Sequence, residues 1–145
     1  MGKTLKIVKF LTLLLIIFAS FNKLKASTDN IEKAKGLFLK GEYLNAIELC
    51  RNINTQQSLI LQSRINSIYT YFYGKKATAE KEYLKSYEIA KEAIKIDNTN
   101  AEAFVEAAHA LGRYGQQIGI ISAISMGIAD RVKEYLNIAL SLDNK

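Results

Sequence analysis

The sequence predicts an all-α protein built from antiparallel helix pairs. From residue 27 onward, apolar residues recur three and four positions apart, which is the period of a helix with one buried face. No segment alternates apolar and polar residues as a half-buried strand does. The chain contains no proline, so nothing interrupts a long helix in the way that proline would. Its 145 residues are enough for one small domain.

The first 26 residues are predicted to be a secretory signal peptide. Lys3, Lys6 and Lys9 precede the apolar run 10–18, and Ala26 offers a small residue at a cleavage site. We therefore expect residues 27–145 to form an exported domain in the bacterial periplasm. The alternative is an uncleaved anchor in the inner membrane, formed by residues 10–21, although a comfortable span needs about 20 apolar residues. That anchor would give the protein an N-terminal membrane association.

Without this leader the chain carries almost no net charge. Five of the twenty basic residues and none of the acidic residues lie in the first 26 positions, so fifteen basic and fourteen acidic residues remain, a net charge of +1. A nucleic-acid-binding domain presents a basic stripe. Lys75 and Lys76 form the only adjacent basic pair after the leader, and we expect them in a solvated turn. No nucleic-acid partner is predicted.

The first two helices are predicted to form a hairpin. Asp29, with Glu32 three positions later, is a capping-box arrangement that marks a helix start, and Gly41 ends that helix. A second helix is expected at residues 43–53, and so short a link makes the two helices antiparallel neighbours. The predicted inward face of the hairpin consists of Ile31, Ala34, Leu37, Phe38, Ala46, Ile47 and Cys50. Because Cys50 is the only cysteine, it cannot form an internal disulfide, and we expect a buried thiol.

Further helices are predicted at residues 57–73, 77–96, 101–114 and 130–142. Gly74 ends the first of these, and Asn100 can cap the third. The core candidates of the helix at 77–96 are Ala79, Tyr83, Ala90, Ala93 and Ile94.

Three stretches of this sequence resemble the tetratricopeptide repeat. LFLKGEYLNAIELC has its glycine, tyrosine and alanine at the spacing of that repeat, and AKEAIKIDNTNAEAF resembles the junction between two units. NIALSLDN repeats the junction 46 residues later, against the usual 34. Asn98 stands where the family has a proline. The resemblance covers most of residues 29–145. It implies a short right-handed stack of six to seven helices, with about 12 extra residues inserted in the last unit.

The inserted segment is rich in glycine and apolar residues. Gly115, Gly119, Ala123 and Gly127 recur every four positions, within a nearly unbroken apolar block at 118–128. We expect a short apolar helix whose stripe of small residues packs closely across the open end of the last helix pair. The alternative is a partner-binding patch or self-association through residues 115–128. The block is too short to span a membrane, and no Gly-Lys-Ser/Thr follows, which excludes a phosphate loop.

Two groups of side chains are candidates for a binding site. Glu102, Glu106, His109 and Arg113 form a polar stripe opposite the apolar face of the fifth helix, where the simplest interpretation is a solvated face. The resemblance implies that this helix lines a concave surface, so that the stripe would contact a partner. Tyr69, Phe72 and Tyr73 cluster on the third helix, either as core packing or as an aromatic platform in a groove.

No catalytic or metal-binding arrangement is predicted. Glu106-x-x-His109 is half of a di-iron motif, but the sequence has no second histidine to complete it. No nucleophile has a base beside it, so we expect neither an enzyme nor a cofactor.

The resemblance implies an exported helical-repeat scaffold that binds a protein or peptide in the bacterial envelope. The candidate partner contacts are Glu102, Glu106, His109, Arg113, Tyr69 and Tyr73. The alternative is a small-molecule-binding accessory protein of an envelope transporter.

Overall fold

A computed structural model describes the backbone of residues 2–143 and the side chains of residues 12–22 and 24–143. Met1, Asn144 and Lys145 lie outside the described residues, as do the side chains of Lys3, Lys6 and Lys9, on which part of the leader prediction rests. The described residues form seven helices and no strand, which confirms the all-α prediction. The helices are α1 (Gly2–Leu39), α2 (Tyr43–Ile53), α3 (Gln56–Tyr73), α4 (Lys76–Ile96), α5 (Ala101–Ile118), α6 (Ile120–Ser125) and α7 (Ile128–Asp143).

The helices pack in adjacent pairs that stack on one another. α1 pairs with α2, α3 with α4, and α5 with α7, while α3 also packs on α1 and α2, and α5 on α3 and α4. Because short turns join consecutive packed helices, their directions alternate. α1, α3 and α5 therefore run side by side in the same direction. This is the all-α helical-repeat arrangement expected from the sequence.

Small buried residues allow the helices of each pair to approach closely. Ala34, Ala46, Ala90 and Ala93 are completely buried, which confirms their predicted core positions. One core cluster surrounds Cys50 between α1, α2 and α3. The second joins α4, α5 and α7, and its larger buried members are Tyr83, Tyr87, Leu111, Tyr114 and Ile128.

The start predicted for the first helix is wrong. α1 is a single helix of 38 residues that runs through Asp29 without a break and ends, as predicted, before Gly41, whose φ is +80°. Inside a continuous helix the amide groups near Asp29 donate to carbonyls one turn earlier. No free amide is therefore left to donate to the Asp29 side chain as a cap. Ile31 is the first buried residue among the described side chains of α1. Within the described residues, no helix is long and apolar enough to cross a membrane.

The insertion contains the predicted short apolar helix, α6, but not the predicted stripe. Gly119 (φ +87°) separates α5 from α6, and Gly127 (φ +64°) separates α6 from α7. Both glycines supply a left-handed backbone that other residues rarely adopt, and a Cβ at either would meet nothing within 4 Å. The close approach lies instead at Gly115, where a Cβ would be 3.1 Å from Ile128 Cγ2.

A buried glutamine fixes α3 relative to α5. Gln56 donates to the carbonyl oxygens of Ala93 (3.0 Å) and Asp97 (2.7 Å) and accepts from the Asn100 amide at 3.0 Å. Asn100 in turn caps α5, as predicted, by accepting from the Glu102 N–H at 3.0 Å. The first turn of α3 is therefore tied to the turn that begins α5, which sets the register of the polar side chains described next.

Candidate functional site

An ion pair joins α3 to α5 on the face where these helices lie side by side. Arg64 Nε donates to Glu106 Oε1 at 2.8 Å, and Arg64 Nη2 reaches Glu102 Oε1 at 2.6 Å. The side chain of Glu106 is only 5% exposed, against 52% for Glu102. Glu106 therefore does not lie on a solvated face. The sequence predicted the position of Glu106 on α5 but not its burial.

Arg64 remains charged in this environment. Burial lowers the pKa of its guanidinium, but the charge of Glu106 and the hydrogen bonds to Glu102 and Glu106 raise it further, so the pKa lies above its ordinary value. The cation compensates the cost of burying the Glu106 carboxylate, which would be large without a partner.

The second oxygen of Glu106 is shielded from solvent. Oε2 is buried and has no hydrogen-bond partner among the described residues. His109 Nδ1 lies 3.8 Å from Oε2, which is too long for a hydrogen bond. His109 itself is partly exposed. The carboxylate oxygen is therefore shielded from solvent, whereas the imidazole beside it is accessible.

Arg113 extends this arrangement toward the end of α3. Its guanidinium carbon lies 4.5 Å from the ring centroid of Tyr71, a cation–π contact, and Nη1 donates to Gln116 at 3.2 Å. These contacts hold Arg113 in one place while it remains partly exposed. We call the set formed by Arg64, Tyr71, Glu102, Glu106, His109 and Arg113 the polar row.

The structure places Tyr69 and Tyr73 away from the polar row. Each residue of a helix is rotated by about 100° from the last, so Tyr69 and Tyr73 lie on nearly the opposite side of α3 from Arg64 and Tyr71. Their rings pack against Tyr43 of α2, with centroids 6.3 and 5.8 Å away. The six residues predicted as one contact set therefore belong to two surfaces.

Tyr69 and Tyr73 line a cavity of about 610 Å³ between α2, α3 and α4, which we call the tyrosine groove. Its walls carry apolar, neutral polar and charged side chains, including Leu44, Glu48, Arg51, Asn66, Lys75 and Glu82. The side-chain nitrogen of Asn66, Nδ2, is buried there without a hydrogen-bond partner among the described residues. Charges of both signs make this groove more polar than a typical small-molecule pocket.

An apolar depression borders the polar row on the other side of α5. Two adjoining cavities of about 380 and 430 Å³ share Val105 and Leu136 and run between α5 and α7. Within the described residues nothing covers this end groove, and Val105, Leu136 and Leu140 are exposed. Glu102, His109 and Arg113 form part of its rim. Apolar residues thus lie beside charged residues in fixed positions.

Sequence reasoning missed Arg64 and Tyr71. Arg64 is the only charged residue in α3. A single charge in an otherwise neutral helix could have indicated that Arg64 forms an ion pair with a residue of another helix. Tyr71 had no such signal, since its role depends on Arg113 from another helix. In the described part of the chain, no cluster of three or more His, Cys, Asp or Glu side chains could hold a metal ion.

Comparison with known proteins adds no assignment. No family model matches the chain, and neither a curated protein nor a solved structure matches it. The functional assignment therefore depends on the geometry of the site.

Proposed function

We propose that this protein is a non-catalytic binding module that contacts a protein or peptide partner through the polar row and the adjoining end groove. The observation that carries the proposal is the juxtaposition of exposed Val105 and Leu136 with charged side chains that Arg64 and Tyr71 hold in place. Protein interfaces combine an apolar centre with a polar rim in the same way. Fixed side chains also reduce the entropy lost on binding.

The charges indicate what such a partner carries. Glu102 is an exposed carboxylate, so this end of the row favours a basic group. Arg113, at the other end, can hold a carboxylate in bidentate fashion. An apolar side chain of the same partner would enter the end groove between them. The expected partner segment therefore has a basic, an apolar and an acidic residue in that order along the row.

Site-specific photo-crosslinking in cells tests this proposal. A photo-crosslinking amino acid at Leu136 should give a discrete adduct with one partner, and Arg113→Glu should abolish that adduct. The matched control is the same amino acid at Leu84, an exposed apolar position on α4 outside the polar row and end groove. No discrete adduct from Leu136, or the same adducts from both positions, would refute the proposal.

We further propose that the protein acts after export and is a tetratricopeptide-type protein. The export proposal rests on the lysine-flanked apolar leader, and the family proposal on paired helices with a glycine turn at Gly41 and buried Ala46 and Ala93 at the helix contacts. Cell fractionation followed by N-terminal sequencing tests the first. A cytoplasmic chain that begins at Met1 would contradict it.

A second candidate function is small-molecule binding in the tyrosine groove. Its volume of about 610 Å³ falls within the range of ligand pockets, and Tyr69 and Tyr73 supply aromatic surface. Native mass spectrometry of the protein purified from its own cells would reveal a retained ligand as added mass. Tyr69→Ala should remove that mass, whereas Val105→Ala in the end groove should keep it.

A further inference from the structure

We propose that the edge of the stack at which α1, α3 and α5 end is a docking surface for an anionic lipid bilayer. This turn edge comprises Leu39 and Lys40, residues 71–76, and residues 120–126. It shares only Tyr71 with the polar row and no lining residue with the end groove, so the inference goes beyond the proposed function.

The three segments lie on one edge because α1, α3 and α5 run in the same direction. Contacts between the helix ends show that they are neighbours. Near the end of α1, Phe38 packs on Tyr43 with ring centroids 5.9 Å apart, and Tyr43 packs on Tyr73 at the end of α3. Tyr71 then meets Arg113 of α5 at 4.5 Å, about two helical turns before α6 begins. The ends of α1, α3 and α5 therefore follow one another along one edge, and α6 continues from the end of α5.

Large apolar side chains project outward along this edge. Every residue from Tyr71 to Thr78 is exposed, including three successive aromatic side chains. In α6 the exposed fractions are 76% for Ile120, 82% for Ile121 and 68% for Ile124. Leu39 and Met126 are exposed as well. Exposed apolar side chains grouped on one edge of a protein mark an interaction site. Phe72, Ile120, Ile121 and Ile124 protrude from the edge and line none of the cavities described above, so they suit a deformable planar phase.

Unpaired lysines accompany the apolar side chains. Lys40, Lys75 and Lys76 are exposed, and none of them pairs with a carboxylate in the described residues. Lysine stems can lie along an apolar surface while the ammonium group remains in the headgroup region. Tyrosine rings favour the same depth, and each lysine near an anionic surface is attracted to it. Glu42 is the acidic residue of the α1–α2 turn, so that turn and the α3–α4 turn together carry three lysines and one carboxylate.

The opposite edge of the stack differs in composition. Its turns are residues 54–55 and 97–100, which contain asparagine, threonine and aspartate and no aromatic residue. α1 continues beyond this opposite edge, so the exposed apolar positions from Leu13 to Leu24 project away from the turn edge. Lipid contact through the leader and lipid contact through the turn edge are therefore distinguishable by position.

The absence of tryptophan from the chain makes a direct test possible. In the full-length protein, Phe72→Trp places a single tryptophan on the turn edge, and Asn98→Trp places one on the opposite edge. Both positions are exposed, and melting curves should confirm that both variants fold. With vesicles of phosphatidylglycerol and phosphatidylcholine that carry brominated acyl chains, Phe72→Trp emission should shift to shorter wavelength and be quenched.

Charge and apolar substitutions complete the test. Two pairs of substitutions should abolish the quenching when they are added to the Phe72→Trp chain: Lys75→Glu with Lys76→Glu, or Ile121→Asp with Ile124→Asp. The same pairs added to the Asn98→Trp chain should leave any quenching through the leader unchanged. Phe72→Trp emission that vesicles do not change would overturn the proposal. Emission that shifts only when solubilised envelope proteins are added would assign the edge to a protein partner, and would equally overturn it.

Discussion

Arg64 and Glu106 join the second and third helix pairs through a charged contact that is largely shielded from water. Nε of Arg64 lies 2.8 Å from Oε1 of Glu106, although the two residues are 42 positions apart in sequence. The carboxylate is 5% exposed and the guanidinium side chain 33% exposed. Loss of the cation alone would therefore leave the buried negative charge of Glu106 without its partner.

We expect Arg64→Ala to lower the free energy of unfolding by about 3 kcal/mol, the lower end of the range for a broken buried ion pair, since Arg64 is partly exposed. The matched control is Glu102→Ala, which removes the exposed partner of Arg64 and should cost at most about 1 kcal/mol. Urea unfolding at neutral pH measures both. Equal losses in the two variants would show that Glu106 does not depend on Arg64.

Substitution of Gly119 is predicted to destabilise the protein because of the backbone conformation at this position and not because of crowding. Its φ of +87° is unfavourable for any residue with a Cβ, although a Cβ there would meet nothing within 4 Å. Gly119→Ala should therefore destabilise the protein by about 1–2 kcal/mol. Gly36→Ala is the control, since Gly36 lies inside α1 with equal space and should stabilise by about 0.5–1 kcal/mol. Thermal melts that moved in the same direction would contradict this explanation.

Ala46 and Ala93 are predicted to reject larger side chains. Both are completely buried at helix contacts, so Ala46→Leu and Ala93→Leu should each lower the free energy of unfolding by about 1–3 kcal/mol through overpacking. Ala77→Leu provides the control, because Ala77 is an exposed residue of α4. Wild-type melting temperatures for all three variants would remove Ala46 and Ala93 from the helix contacts.

Cys50 is predicted to make stability depend on alkaline pH. Burial raises the pKa of its thiol from 9.0 to about 11, so the folded protein holds this proton more tightly than the unfolded chain. Stability that is fully present below pH 9 should be lost as the pH rises toward 11, by at most about 2–3 kcal/mol. The measurement is the difference in unfolding free energy between wild type and Cys50→Ala at pH 8 and pH 10.5. Tyrosines and lysines titrate in both proteins, so a constant difference would contradict the prediction.

Helical periodicity was sufficient to predict most elements and core positions. α2 occupies the predicted residues 43–53, and Ala46, Ala90 and Ala93 are buried as expected. These positions depend on local spacing, which the sequence displays directly. The sequence predicted that α5 ends near Tyr114, but the helix continues to Ile118. It ends there because Gly119, with a φ of +87°, lies outside the helical backbone conformation.

The predictions that failed concern interactions between distant residues or alternative uses of one residue type. A spacing of four suggested that Gly119 and Gly127 share a helix face, yet glycine serves equally well as a turn with positive φ. Glu102 and Glu106 lie on the same stripe and have the same chemistry. Only the position of Arg64 on another helix distinguishes the buried carboxylate from the exposed one, and no local pattern contains that information.

The unbroken course of α1 through Asp29 has a consequence for proteolytic processing. Removal of residues 1–26 would leave a new helix terminus whose first amide groups have lost their carbonyl partners. Asp29 could then accept from the amide of Glu32, while the Glu32 side chain reaches back to the amide of Asp29. Asp29 and Glu32 would lie inside the helix before cleavage and would cap its new start after cleavage. The shortened chain would therefore keep most of the helix that remains.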